Sequence, residues 1–169
     1  MNEECDNAIC ELAQGNKNAL SVIYREYGRM IYSVGYNIVK NSADAEDVLQ
    51  ETMMKILKQA HTYRRGTNPK AWVMSIARSC AIDIAKKQND TSPLEDVEFA
   101  VGANESADEM LLIKDAMKRL SAEERTVINL KLYVGLSHSE IASVLGINLF
   151  AVQKKYRRAL AKLKKYCEE

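Results

Sequence analysis

Apolar residues recur every three or four positions along most of this chain, in blocks separated by turn residues. From Asn18 to about Val39 the set Leu20, Ile23, Tyr24, Tyr27, Ile31, Val34 and Ile38 predicts one long helix with a buried stripe. A shorter helix precedes it, Glu3 to Ala13, carrying Ile9, Leu12 and Ala13 and stopped by Gly15 and Asn16. Asn41 or Ser42 caps a further helix, Ala43 to about Gln59, with Val48, Met53, Ile56 and Leu57 inward. The stretch HTYRRGTNPK from His61 to Lys70 breaks the period. Asn68 followed by Pro69 then reads as cap and first helical residue, because proline lacks the amide that a helix start leaves unpaired. The next helix runs to about Gln88 on a stripe of Trp72, Val73, Ile76, Cys80 and Ile84.

Residues 90–108 change character: Asp90, Glu95, Asp96, Glu98, Glu105 and Asp108 stand there with no Lys or Arg, among Pro93, Gly102 and Asn104. That composition predicts an acidic linker, with Val97, Phe99 and Val101 offering a local docking point. A second helical block begins near Ala107, with Met110, Leu111, Ile113, Met117 and Leu120 available for packing. Ser121 with Glu124 and Ser137 with Glu140 have the spacing of capping boxes, which fix helix starts by pairing exposed amides in both directions. Gly135 ends the helix between them. Gly146 then supplies a turn between a short helix and a long basic one capped by Asn148, with Ala142 small enough for the two to cross closely. The predicted class is all-α: two small helical domains, 1–89 and 109–169, joined by the acidic linker 90–108, the second containing a helix-turn-helix.

Composition supports helices over sheet, with few turn formers (Gly 7, Pro 2) and no alternating Val, Ile and Thr runs. Net charge is only +1, but its placement is uneven: +1 over residues 1–90, −4 over 91–120 and +4 over 121–169. Cys5, Cys10, Cys80 and Cys167 show no CxxC spacing and no secretory leader precedes them, so the expectation is a reducing, cytoplasmic setting without disulfides. No window has the length of apolar residues that a membrane span needs, so no membrane insertion is expected.

The basic excess concentrates in the last helix, where Lys154, Lys155, Arg157, Arg158, Lys162, Lys164 and Lys165 meet no acid until Glu168. A solvated face ordinarily intersperses signs to gain pairs one turn apart. Clustered cations on the second helix of a helix-turn-helix instead suit a polyanion, and that helix can enter the major groove of duplex DNA. Elsewhere Asp44, Asp47 and Glu51 recur at three and four residues, giving an acidic face on the third helix.

Two quoted regions resemble one family. NSADAEDVLQETMMKILK followed by NPKAWVMSIARSCAIDIAKK is similar to the first domain of group-four, extracytoplasmic-function sigma factors, and LSAEERTVINLKLYVGLSHSEIASVLG resembles the second. The likeness covers roughly 19–88 and 116–166. It implies a subunit that makes no covalent change itself, joins core RNA polymerase, directs it to promoter DNA and helps separate the strands. By that likeness Asp44, Asp47, Gln50 and Glu51 contact the clamp helices of the beta-prime subunit. His61, Tyr63, Arg64, Arg65 and Lys70, with Arg78, Lys86 and Lys87, face the downstream promoter element. There His61 and Tyr63 offer rings to an unstacked base, a core plug being the alternative for Tyr63, while the cations neutralise phosphates. Asp83 is placed to orient one of Arg78, Lys86 and Lys87. Trp72 and Ile76 read as core. In the last helix Phe150, Ala151, Gln153, Lys154, Lys155, Arg157 and Arg158 are the candidates for the upstream element, Gln153 by pairing with adenine and Arg157 with guanine or phosphate. The surface around Leu132, Tyr133 and Val134 is placed to meet the polymerase beta flap. The resemblance also implies a monomer when unbound, and an anti-sigma factor as a further partner held between the domains.

This chain departs from many relatives at Phe150 and Ala151, where they carry a glycine and a hydroxyl residue, at Lys155 in place of an arginine, and at Ser79, Lys86 and Lys87. These changes bear on which DNA sequence is read. Enzymatic readings gain nothing: GxxxxGK, HExxH, GxSxG and GxGxxG are absent, His61 and His138 stand far apart, and neither a catalytic residue, a metal nor a cofactor is expected. The rival functions are a dimeric helix-turn-helix regulator that binds duplex DNA alone, and an adaptor whose basic helix grips an acidic protein.

Overall fold

A computed structural model describes residues 3–88 and 115–168. Among these residues every regular element is helical: α1 (Glu3–Ala13), α2 (Leu20–Val39), α3 (Ser42–Gln59), α4 (Pro69–Gln88), α5 (Ala122–Ile128), α6 (His138–Leu145) and α7 (Leu149–Glu168). Residues 115–118 are also helical. The predicted linker 90–108, and the first residues of the second block with Met110, Leu111 and Ile113, lie outside the described residues.

The boundaries follow from local chemistry. Asn41, extended at φ −147°, accepts the Asp44 amide and opens α3. Asn68 accepts the amides of Lys70 and Ala71 and opens α4 at Pro69. Both capping boxes are present, Ser121 with Glu124 at α5 and Ser137 with Glu140 at α6. Gly146, at φ 65°, ends α6 in the left-handed conformation, its amide returning to the carbonyls of Ala142 and Ser143. Lys40 takes the same conformation at the end of α2, φ 63°, without glycine's freedom.

Helix α2 is the axis of the first cluster, with α1, α3 and α4 packed around it. Ile9, Ile23, Tyr27, Ile31, Val48, Ile56, Val73 and Met74 are fully enclosed. Where α2 crosses α3, a side chain at Gly35 would lie 2.9 Å from a methyl of Val48, so glycine sets the closeness of that crossing. In the second cluster α5 runs on through a wider turn, Asn129–Tyr133, and α6 and α7 form the helix-turn-helix. Met117, Leu120, Ile128 and Ala159 make a small core of their own.

The two clusters share a seam. Val127, Leu130, Val134, Leu136 and Ile141 belong to the same contiguous apolar cluster as the first core. Polar contacts cross it: Asn129 Nδ2 donates to Ser33 Oγ (2.6 Å), Lys70 Nζ donates to the Val134 carbonyl (2.9 Å), and Asn68 Nδ2 donates to the Glu140 carboxylate.

Candidate nucleic-acid interface

Three surfaces carry the predicted residues. On α3, Asp47, Gln50 and Glu51 are exposed and line one open cleft, with Lys87 and Asp83 of α4 on its far wall. Asp44 lies a turn earlier, half-covered, with one carboxylate oxygen buried and unpaired. Asp83 accepts from Lys55 of α3 (3.3 Å) and shares the cleft with Lys87, one of the three cations it was expected to orient. Beside the acidic face runs a larger groove of about 930 Å³ between α2 and α3, walled by Tyr24, Leu49, Met53 and Met54 and closed at one end by Tyr133. Sequence reasoning missed it. Tyr24, expected in the buried stripe of α2, is instead 58% exposed and faces this groove, off the Ile23–Tyr27–Ile31 line that packs inward; Met54, 49% exposed and outside the inner set of α3, was the signal available.

The second surface is the segment between α3 and α4. A single tight turn, Ala60–Thr62, leads into Tyr63. His61, Arg64 and Arg65 are exposed. Tyr63 is turned inward: its hydroxyl donates to Asp6 Oδ1 (2.5 Å), and its ring packs on Trp72 with centroids 5.3 Å apart. Burial, then the facing Asp6 carboxylate, push the Tyr63 phenol well above its ordinary pKa. The Gly66 amide also donates to Asp6 Oδ1 (3.0 Å), and Arg65 Nε stands 3.8 Å from Oδ2. The hydrogen bond from Tyr63 is the main reason the Asp6 carboxyl sits below the usual carboxylate range, against the opposing effect of burial.

The third surface is α7. The Asn148 side chain accepts the Ala151 amide (2.7 Å) and fixes the helix start. Phe150, 67% exposed, stands four residues before Lys154, with Arg157 and Arg158 three and four residues further on, so these exposed side chains share one face. Ala151 and Gln153 are half-buried beside it. Lys155 pairs instead with Glu123 of α5, and Lys162 with Glu124 at 2.7 Å. Burial opposes charge on Glu124, but Lys162 and the Ser121 amide hold its carboxyl below the usual range. Two members of the cationic run thus fasten α7 to α5.

The predicted DNA residues are not all on free surface. Lys70 is engaged at the seam, and Arg78 of α4 lines a 270 Å³ cleft with Ile147 and Lys155 of the helix-turn-helix. Lys86 and Lys87 are exposed at the end of α4. Of the trio expected at the polymerase flap, Leu132 is exposed at 59%, Tyr133 is half-buried, and Val134 is buried with its carbonyl given to Lys70.

The family model for sigma-70 region 2 matches residues 23–91, and that for sigma-70 region 4 matches residues 110–163. Two Bacillus subtilis proteins are similar over nearly the whole length: RNA polymerase sigma factor SigV, 29% identical over 87% of this chain and 90% of its own, and ECF RNA polymerase sigma factor SigX, 27% identical over 90% and 85%. The chain belongs to the extracytoplasmic-function group of the sigma-70 family. A sigma factor joins core RNA polymerase, recognises promoter DNA and supports initiation; catalysis stays with the polymerase. Two solved structures share the fold. CnrH, in complex with the cytosolic domain of CnrY, has a TM-score of 0.73 at 22% identity over 98% of this chain and 97% of its own. RpoE of Bartonella quintana, in complex with the anti-sigma factor NepR, has a TM-score of 0.74 at 21% identity over 88% and 96%.

The cytoplasmic expectation is corrected to a narrower statement. Among the described residues of this sigma factor no helix is long and apolar enough to cross a membrane. CnrH was captured with the cytosolic domain of CnrY, one part of that partner, and the unqualified cytoplasmic expectation does not stand for this chain.

Proposed function

We propose that this sigma factor divides its task between residues 1–89, which grip polymerase and the downstream promoter element, and residues 109–169, which hold the upstream element as duplex, with 90–108 as the tether. The observation that carries the reading is the exposed face of α7, Phe150 with Lys154, Arg157 and Arg158, placed directly after a capped left-handed turn. That geometry suits major-groove entry, the cations taking phosphates while Gln153 and Phe150 meet base edges. Phe150 replaces a close hydrogen-bonding approach with apolar contact, which suits a thymine methyl. The exposed acids Asp47 and Glu51, with Asp44 and Gln50, offer the beta-prime clamp helices a complementary surface, and Leu132 offers apolar contact to the beta flap. His61, Arg64 and Arg65 border melted DNA, with Lys86 and Lys87 extending the positive surface. Lys70 and Arg78 join them once the seam opens. An anti-sigma factor has a matching site in the groove between α2 and α3, where Tyr133 brings the second cluster to the first.

The test is reconstitution of the purified chain with core polymerase, followed by mapping of transcript starts. Stable association and initiation at defined sites are expected. Starts indistinguishable from those of core alone would overturn the reading, and protection of a palindromic duplex by the chain alone would favour the regulator.

A further inference from the structure

Asp6 lies outside both matched family segments and no expectation drawn from the sequence touched it, yet it is the most constrained carboxylate in the first cluster. It is 8% exposed on α1, a helix otherwise open to solvent along one side. Among the described residues its carboxylate receives groups from the segment between α3 and α4: the Tyr63 hydroxyl at 2.5 Å, the Gly66 amide at 3.0 Å and, as an ion pair, the Arg65 guanidinium at 3.8 Å. The neighbouring Asn7 Oδ1 accepts from Arg65 Nη2 (2.9 Å). Gly66 is at φ 81° with open space where a side chain would be, so its glycine serves the backbone direction that aims the amide at Asp6. Around these anchors the segment closes on itself, Thr67 Oγ donating to the Arg64 carbonyl (2.7 Å).

We propose that Asp6 is a positioning residue for promoter reading, holding residues 60–68 in the one shape that presents His61 and Arg64 outward while Tyr63 is drawn in as a strut. The inference rests on the reading that this segment meets the downstream element. A segment of mixed polar residues with a glycine in its middle has many shapes available in water, and ordering it on DNA subtracts from binding. A buried carboxylate with two donors and a guanidinium beside it settles that ordering beforehand, through charge-assisted bonds stronger than neutral ones. Recognition of an unstacked base then needs no loop folding at the moment of strand opening.

The test uses full-length holoenzyme on a promoter located by start mapping, comparing the matched downstream element with single-base changes in it. Asp6→Asn and Tyr63→Phe are expected to lower discrimination between matched and changed elements about tenfold, with affinity for core polymerase unchanged. Tyr63→Phe keeps the ring on Trp72 and removes only the hydroxyl, so it answers the question even if the Asp6 variant folds poorly. The double variant is expected to lose less than the sum of the two single losses, because Asp6→Asn makes the charge-assisted bond from Tyr63 a neutral one and Tyr63→Phe removes it. His61→Ala and Arg64→Ala separate the two claims. If these two impair discrimination and Asp6→Asn and Tyr63→Phe do not, positioning by Asp6 is wrong. If none of the four matters, the promoter reading of the segment is what fails. Loss that is uniform across all promoter sequences would reduce Asp6 to a structural role and overturn the proposal.

Discussion

Lys40 ends α2 in the left-handed conformation with its ammonium buried, unpaired and facing Arg125 of α5 across the seam. Burial, and then the neighbouring guanidinium, bring its pKa down from 10.5 to about 8. Each pH unit of displacement is worth about 1.4 kcal/mol, so the full displacement represents about 3 kcal/mol of opposition to folding. Part of the side chain remains in water, and screening reduces this to about 1–2 kcal/mol. The sign is set by proton binding. An unfolded chain keeps this proton up to about pH 10.5 and the folded chain releases it near 8, so stability rises with pH across that window. Below it both states are charged and the whole cost is present.

Lys40→Met removes the charge and keeps a similar stem. At pH 7 it is expected to be about 1–2 kcal/mol more stable than the natural chain by urea unfolding, and the gap should close toward pH 10.5. Taking the difference between the two proteins at each pH cancels the other lysines, tyrosines and thiols that titrate in the same range. Lys40→Gly should add about 1 kcal/mol from the left-handed backbone, less the extra freedom glycine brings to the unfolded chain. A gap between natural chain and Lys40→Met that is the same at pH 7 and pH 10 would refute the argument, because a lysine solvated in the folded state has no reason to release its proton early.

Gly35→Ala places a methyl 2.9 Å from Val48 and should cost about 1–3 kcal/mol, seen as a lower melting temperature, since the two helices must part to admit it. Lys162→Ala should destabilise by about 1 kcal/mol at pH 7 by taking one of two partners from the buried Glu124, which keeps the Ser121 amide; the Glu124 carboxyl is held below its ordinary pKa, so this effect fades as the pH falls through the carboxylate range, and urea unfolding at pH 7 and pH 3.5 checks it. Gln153→Ala should change which upstream elements are preferred by about 1–3 kcal/mol, whereas Lys154→Ala should weaken all promoters alike and flatten the salt dependence, both read from holoenzyme binding across a promoter series.

What the sequence made legible was local. Asn41, Asn68, Ser121, Ser137, Gly146 and Asn148 each act on amides or carbonyls within a few residues, and every one stands where its spacing predicted. The all-α class and the helix-turn-helix followed from those signals and the apolar period. Missed features depend on partners distant in sequence. Asp6 and Tyr63 are separated by 57 positions and Ser33 and Asn129 by 96, and nothing in a helical period announces such a pair. Lys162 belonged by composition to the DNA-facing run, but Glu124 lies 38 positions back and claims it. The exposed α7 cations and the acids of α3 were found because charge on an open helix face is visible in the sequence itself.

The seam joins these observations. Ser33 and Asn129 meet inside it, and Asn68 and Glu140 meet across it, each adding a second duty to a residue that already caps a helix or lines a core. Glu140 shows the tension: burial opposes its charge, while the Ser137 amide and Asn68 hold its carboxyl below the usual range, so parting the halves removes one of its partners without stranding it, because the capping box remains. Lys70 likewise gives up a carbonyl and becomes free for phosphate. Lys40 and Arg125 gain outright, since separation returns two like charges to water. Among the described residues the seam therefore closes by apolar burial, while parting it leaves Glu140 its capping partner, frees Lys70, and lets the buried, unpaired nitrogens of Lys40 and Arg125 regain water.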